Sequence, residues 1–130
     1  MMADSKKYNP NLSDNLIVNL TFQFSLDIVK FSELLESKRK FAIANQLIRS
    51  GTSIGANVRE SQNAESKADF VHKMKVAAKE ADETEYWLLI ASQSENYPNC
   101  DDLLTKILSI KKVLSKIIGT SKGGSNQSTN

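Results

Sequence analysis

The stretch FAIANQLIRSGTSIGANV, residues 41–58, decides the fold, because it reads in two ways. By propensity, Ser50 to Gly55 is a loop: Gly51 and Gly55 sit among small polar residues, and each glycine weakens an isolated helix by about 1 kcal/mol relative to alanine. By periodicity it is helix, since Phe41, Ala44, Leu47, Ile48, Gly51, Ile54, Gly55 and Val58 continue one face without a slip. Periodicity is the stronger signal here. Small residues one turn apart let a neighbouring backbone come close, and that packing offsets the weak propensity. The spacing therefore predicts a helix from about Arg39 to Asn63.

Working outward, the same helical period recurs on both sides, with no sustained period-two alternation. Upstream, a helix is expected from Asp14 to Lys38 with Ser13 as its N-cap. Ile17, Leu20, Phe24, Ile28, Phe31, Leu34 and Leu35 form its stripe. A second apolar set, Val18, Phe22, Leu26 and Val29, lies off that stripe and is wider than a lone bundle helix requires. Generous core packing would explain it, and so would a subunit interface.

Downstream, Ser66-Lys67-Ala68-Asp69 resembles a capping box with aspartate in place of the usual Glu or Gln. The stripe Phe70, Met74, Ala77, Ala81, Thr84, Leu88 and Ala91 then carries a third helix to about Asn96-Tyr97-Pro98. A fourth starts near Asn99 or Cys100, with Asp101 and Asp102 suited to the positive end of its dipole. It carries Leu103, Ile107, Ile110, Leu114 and Ile117, and Gly119 is expected to end it. Four amphipathic helices on short connections imply an all-α, antiparallel up-down-up-down four-helix bundle over residues 13–119. Residues 1–12, with their Asn-Pro-Asn turn, read as a flexible leader, and residues 120–130 as a disordered Gly/Ser/Asn tail.

Composition agrees. The 130 residues make one domain, with 40% apolar and 25% charged residues, and five glycines and two prolines leave most of the chain for long regular elements. A single cysteine, Cys100, excludes an intramolecular disulfide framework. The mostly polar start lacks a secretory leader, and no apolar run approaches the ~20 residues of a membrane span. The reading is a cytoplasmic protein with no membrane partner. A net charge of +2 permits a nucleic-acid partner without demanding one.

Catalysis needs a constellation, and the sequence offers little to build one. His72 is the sole histidine and follows Asp69 at i, i+3. An acid-x-x-His pair occurs in di-iron bundles, but a second such pair cannot exist here. No metal and no cofactor are expected. His72-Lys73-Met74-Lys75 faintly resembles the surroundings of a phosphotransfer histidine, a minor alternative, although the β-branched Val76 stands where phosphoryl access wants a small residue. Glu80, Asp82, Glu83 and Glu85 read as a solvated or cross-helix-paired acidic face, with Lys79 as an i, i+3 and i+4 partner of Asp82 and Glu83. Cys100, at a helix start, has no motif to make it a nucleophile.

Basic residues are the remaining candidates for binding. Lys38, Arg39 and Lys40 lie at the first turn. Arg49 and Arg59 are roughly 80° and some 15 Å apart on the second helix, and Lys106, Lys112 and Lys116 lie on the fourth. Arginine suits bidentate phosphate contacts. Surface charge for solubility accounts for the same residues.

The string Gln46 to Glu60, QLIRSGTSIGANVRE, resembles bacterial four-helix bundle proteins encoded by intervening sequences of 23S ribosomal RNA genes. The resemblance extends through SKADFVHK at Ser66–Lys73 and KEADETEYWL at Lys79–Leu88. Helices one and four match by pattern only. The resemblance implies a four-helix bundle with no established enzymatic activity. Related proteins form homopentamers, and a similar accessory protein of diversity-generating retroelements binds nucleic acid through a basic surface. Where the family motif reads Asn-Ile-Ala-Glu-Gly, this chain has Arg59 for the small residue and Ser61 for the glycine. The resemblance implies a structural framework of Asn57, Glu60, Glu83, Tyr86 and Trp87, with polar groups pairing between helices two and three around an aromatic anchor. The expectation is a non-enzymatic homo-oligomer, a pentamer, that binds RNA or DNA. The rival is a protein-interaction scaffold without nucleic acid.

Overall fold

A computed structural model describes residues 15–129, with side chains through Ser121. It contains four helices: α1 (Leu16–Ser37), α2 (Phe41–Ser61), α3 (Lys67–Gln93) and α4 (Asp101–Thr129). Neighbours run antiparallel, as their contacts show. Along α1 and α2, Asn15 meets Gln62, Thr21 adjoins Gly55 and Ile28 adjoins Gly51. Along α2 and α3, Arg49 meets Glu83 and Glu60 meets Lys73. Along α3 and α4, Leu88 meets Cys100 and Asp82 meets Lys111, and α4 closes on α1 where Asp27 meets Lys106. The helices close a ring of four seams, α1–α2, α2–α3, α3–α4 and the sparser α1–α4.

α2 runs unbroken through Ser50 to Gly55. A Cβ at Gly51 would lie 2.9 Å from Ile28 Cγ1, and one at Gly55 would lie 3.2 Å from the Thr21 carbonyl oxygen. Both glycines are thus where α1 comes closest. On the other side of α2, the buried Ser50 and Thr84 hydroxyls bond at 3.0 Å across the α3 seam. Between the seams lies a core of Phe24, Ile28, Leu35, Leu47, Ile54, Met74, Leu88, Ile107 and Leu114, all fully buried. Each such side chain contributes about 1.5–3 kcal/mol of transfer free energy.

Several helix ends differ from the sequence expectation, α2 for one stopping at Ser61 rather than Asn63, and four of the differences bear on the fold. The cap of α1 is Asn15, whose side chain accepts from the amides of Ile17 and Val18; Ser13 and the leader 1–12 lie outside the described residues. α2 begins at Phe41 rather than Arg39, because Arg39 takes φ 63° to reverse the chain. α3 stops at Gln93, before Asn96 at φ 65°. Its start has half of the anticipated box: Ser66 Oγ accepts from the Asp69 amide at 3.0 Å, but Asp69 accepts from the amide of Glu65, one residue before the cap, rather than from Ser66. The fourth difference is larger. α4 passes through Gly119 to Thr129, into the segment read as a loose tail. No described glycine has positive φ, so Gly119 forms no left-handed cap, and the hydrogen-bond ladder continues.

Candidate nucleic-acid interface

The eight cations singled out from the sequence do not form one surface. Arg49 is held by α3: its guanidinium pairs with Glu83, lies 3.6 Å from Glu80 and bonds Gln46 at 3.2 Å. Lys106 bridges Asp27 at 2.8 Å and Asp102 at 3.0 Å, and these bonds, the one to Asp27 first, push its pKa above the usual lysine value. Neither is available to a phosphate without giving up carboxylate partners. Lys38, Arg39 and Lys40 sit at the far end of the bundle, where Arg39 lies 5.7 Å over Phe41 and Lys40 lies 5.0 Å over Tyr97. The exposed acids Glu36, Glu95 and Asp101 belong to the same end. Arg59 belongs to the α1–α2 side. That leaves Lys112 and Lys116, both exposed on α4.

Two residues overlooked in the sequence complete a different cluster. Lys75 and Lys79, one turn apart on α3, are exposed. Asp82 and Glu85 both reach Lys111, at 3.0 and 2.7 Å, which sets the α3–α4 register. Since the helices are antiparallel, residues before Asp82 run alongside residues after Lys111. By that register Lys116 lies level with Lys79 and Lys112 level with Asp82, while Lys75 lies about one turn beyond Lys116. Among the described residues, the seven ion pairs include none of these four lysines. Lys79 in particular does not take the in-helix partners expected of it: Asp82 goes to Lys111 and Glu83 to Arg49. The signal for this face was the i, i+4 lysine pair. It became legible only with the α4 register.

The framework residues are placed unevenly. Glu60 accepts from Lys73 at 3.0 Å across the α2–α3 seam. Glu83 joins Arg49 and accepts from Trp87 Nε1 at 3.0 Å. Asn57, expected to pair across helices, instead donates to the Ser53 carbonyl of its own helix at 2.9 Å, one turn back. Trp87 packs against the core, whereas Tyr86 is 59% exposed and meets Trp87 edge-on at 5.3 Å. Of the candidate interface residues, Val18 and Phe22 line an open groove of about 260 Å³ with Thr52, Gly55, Ala56 and Arg59. Leu26 and Val29 stand beside it, 43% and 37% exposed.

The nucleophile and metal candidates have structural tasks. Cys100 is buried and donates to the Leu88 carbonyl at 3.4 Å, and burial, then Asp101, pushes its thiol pKa up. Asp69 accepts from the Glu65 amide just before α3, and His72 is exposed one turn on. Among the described residues no group of three or more His, Cys, Asp or Glu is placed to hold a metal.

The family model of the 23S rRNA-intervening sequence proteins matches residues 13–116. The chain belongs to that family. A crystal structure from Bacteroides thetaiotaomicron, described as a protein of unknown function from the S23 ribosomal protein family, is 38% identical. The match covers 78% of this chain and 97% of that one, with a TM-score of 0.75. No curated protein matches. Membership accounts for the bundle; the matched region stops at 116, so the last turns of α4 extend beyond it. None of the described helices is long and apolar enough to cross a membrane.

Proposed function

We propose that the protein is a non-enzymatic, cytoplasmic bundle that binds the phosphate backbone of RNA or DNA through its α3–α4 face. The observation that carries this reading is the set Lys75, Lys79, Lys112 and Lys116, exposed and outside every ion pair of the described residues. Lysines without aspartate or glutamate partners can neutralise phosphates and release the counterions condensed on the nucleic acid without first breaking an ion pair. Self-association, with a pentamer as the expected form, would repeat this modest face around a ring. The α1–α2 surface with Leu26 and Val29 is the assembly face in this reading.

The test is fluorescence anisotropy of labelled RNA and DNA across a salt series. Binding should fall log-linearly with salt, and the Lys75→Glu, Lys112→Glu variant should weaken it with unchanged helicity. A salt-insensitive complex, or no complex at low salt, would overturn the proposal. Arg49→Glu is a poor probe, because it puts a third carboxylate beside Glu80 and Glu83 and would disturb the α2–α3 seam.

A further inference from the structure

Tyr86 has no packing role that explains its position. More than half of its surface is exposed, and its one ring contact is edge-on to Trp87. At 100° per residue, Tyr86 falls angularly between Lys75 and Lys79, within about 20° of each. It continues their line roughly 10 Å beyond Lys79. An exposed aromatic thus stands on the same ridge as two unpaired lysines, with Lys112 alongside on α4.

The acidic run between Lys79 and Tyr86 would seem to repel an anion. Its four carboxylates share two cations, Glu80 and Glu83 with Arg49 and Asp82 and Glu85 with Lys111, which halves the charge of the run, and the three lysines Lys75, Lys79 and Lys112 outweigh the remainder. Trp87 is itself fixed, by its Nε1 bond to Glu83 and by packing against the core, so the Tyr86 ring rests against a rigid neighbour. A fixed ring beside solvated cations is what a flexible strand needs. Its phosphates meet the lysines and one unpaired base lies on the aromatic face. A duplex keeps its bases stacked on one another and offers that ring nothing.

We infer that Tyr86 is a base-stacking platform, and that the Lys75–Lys79–Tyr86 ridge takes single-stranded nucleic acid in preference to duplex. This rests on the nucleic-acid reading above and deepens it. The contacts are lysines on phosphate and one ring on a base face, and both accept any sequence, so little sequence preference is expected.

The experiment compares a labelled mixed-sequence single strand with its duplex, against wild type, Tyr86→Ala, Tyr86→Phe and Lys75→Glu, Lys79→Glu. Wild type should prefer the single strand. Tyr86→Ala should lose about tenfold or more for the single strand and leave the duplex unchanged, and Tyr86→Phe should retain most affinity. Trp87 is the sole tryptophan, so its emission should shift on adding the single strand to wild type. Equal affinity for strand and duplex, with Tyr86→Ala silent and the lysine variant impaired, would overturn the stacking role while leaving the phosphate face intact. Binding of neither nucleic acid at low salt would overturn both.

Discussion

A methyl group added at Gly51 would sit 2.9 Å from Cγ1 and 3.0 Å from Cγ2 of Ile28, a side chain with no exposed surface. Those are the branch atoms of a β-branched residue, not the end of a flexible chain, so they cannot swing away. The cost of overpacking is about 1–3 kcal/mol, against about 1 kcal/mol gained by removing glycine from a helix. Gly51→Ala should therefore lose up to about 2 kcal/mol by urea denaturation. Gly119 also lies within a helix, but a Cβ there has nothing within 4 Å, so Gly119→Ala should gain up to about 1 kcal/mol. If both substitutions stabilised alike, the close approach of α1 to α2 would be refuted. The glycine register was legible because the apolar stripe ran through it. The partner of Asn57 was not: a carboxamide on a helix reaches its own preceding turn as readily as a neighbouring helix, and nothing in the spacing chooses between them.

Among the elements, α3 carries most of the cross-bundle charge. Its acidic run divides between neighbours, Glu80 and Glu83 toward Arg49 on α2, Asp82 and Glu85 toward Lys111 on α4. Cross-helix pairing was one of two readings open at the sequence level. The specific partners were hidden, because in-helix spacing shows only Lys79, whereas Arg49 and Lys111 become neighbours through packing register. The Lys111 staple has a pH consequence. Hydrogen bonds to Glu85 and then Asp82 raise its pKa above 10.5 in the folded chain. Unfolding removes both partners, so the folded form holds the proton more tightly. The staple's contribution is full below 10.5 and is lost as pH rises through the higher folded value. Thermal melts of wild type and Lys111→Met should converge at strongly alkaline pH, with wild type the more stable at neutrality. Lys73 and Lys106 shift in the same direction but are present in both proteins, so the difference isolates Lys111. A gap in Tm that stays constant with pH would show that the staple acts through packing of its methylene chain instead.

For the whole molecule, the bundle and the four-helix order follow from amphipathic periods alone, because burying one stripe per helix leaves few other arrangements. The proposed binding face does not, since it joins residues of α3 and α4 that only the packing register brings level. Assembly belongs to the same scale. Leu26 and Val29 remain solvent-facing beside the Val18–Phe22 groove, on the α1–α2 side, away from the α3–α4 lysines. A ring closed through that side would leave the lysine ridges free, and their repetition would raise affinity for a long strand without adding any contact. Leu26→Glu with Val29→Glu should thus lower the mass seen by light scattering toward the 14.4 kDa of one chain while leaving helicity intact. The same variant should lose affinity for a long strand far more than for an oligonucleotide short enough to occupy one ridge. If the mass falls and long-strand affinity does not, one ridge is sufficient and the ring serves another purpose. If wild type already has the mass of one chain, the assembly reading is overturned; if an assembled mass does not fall, the interface lies on a different face.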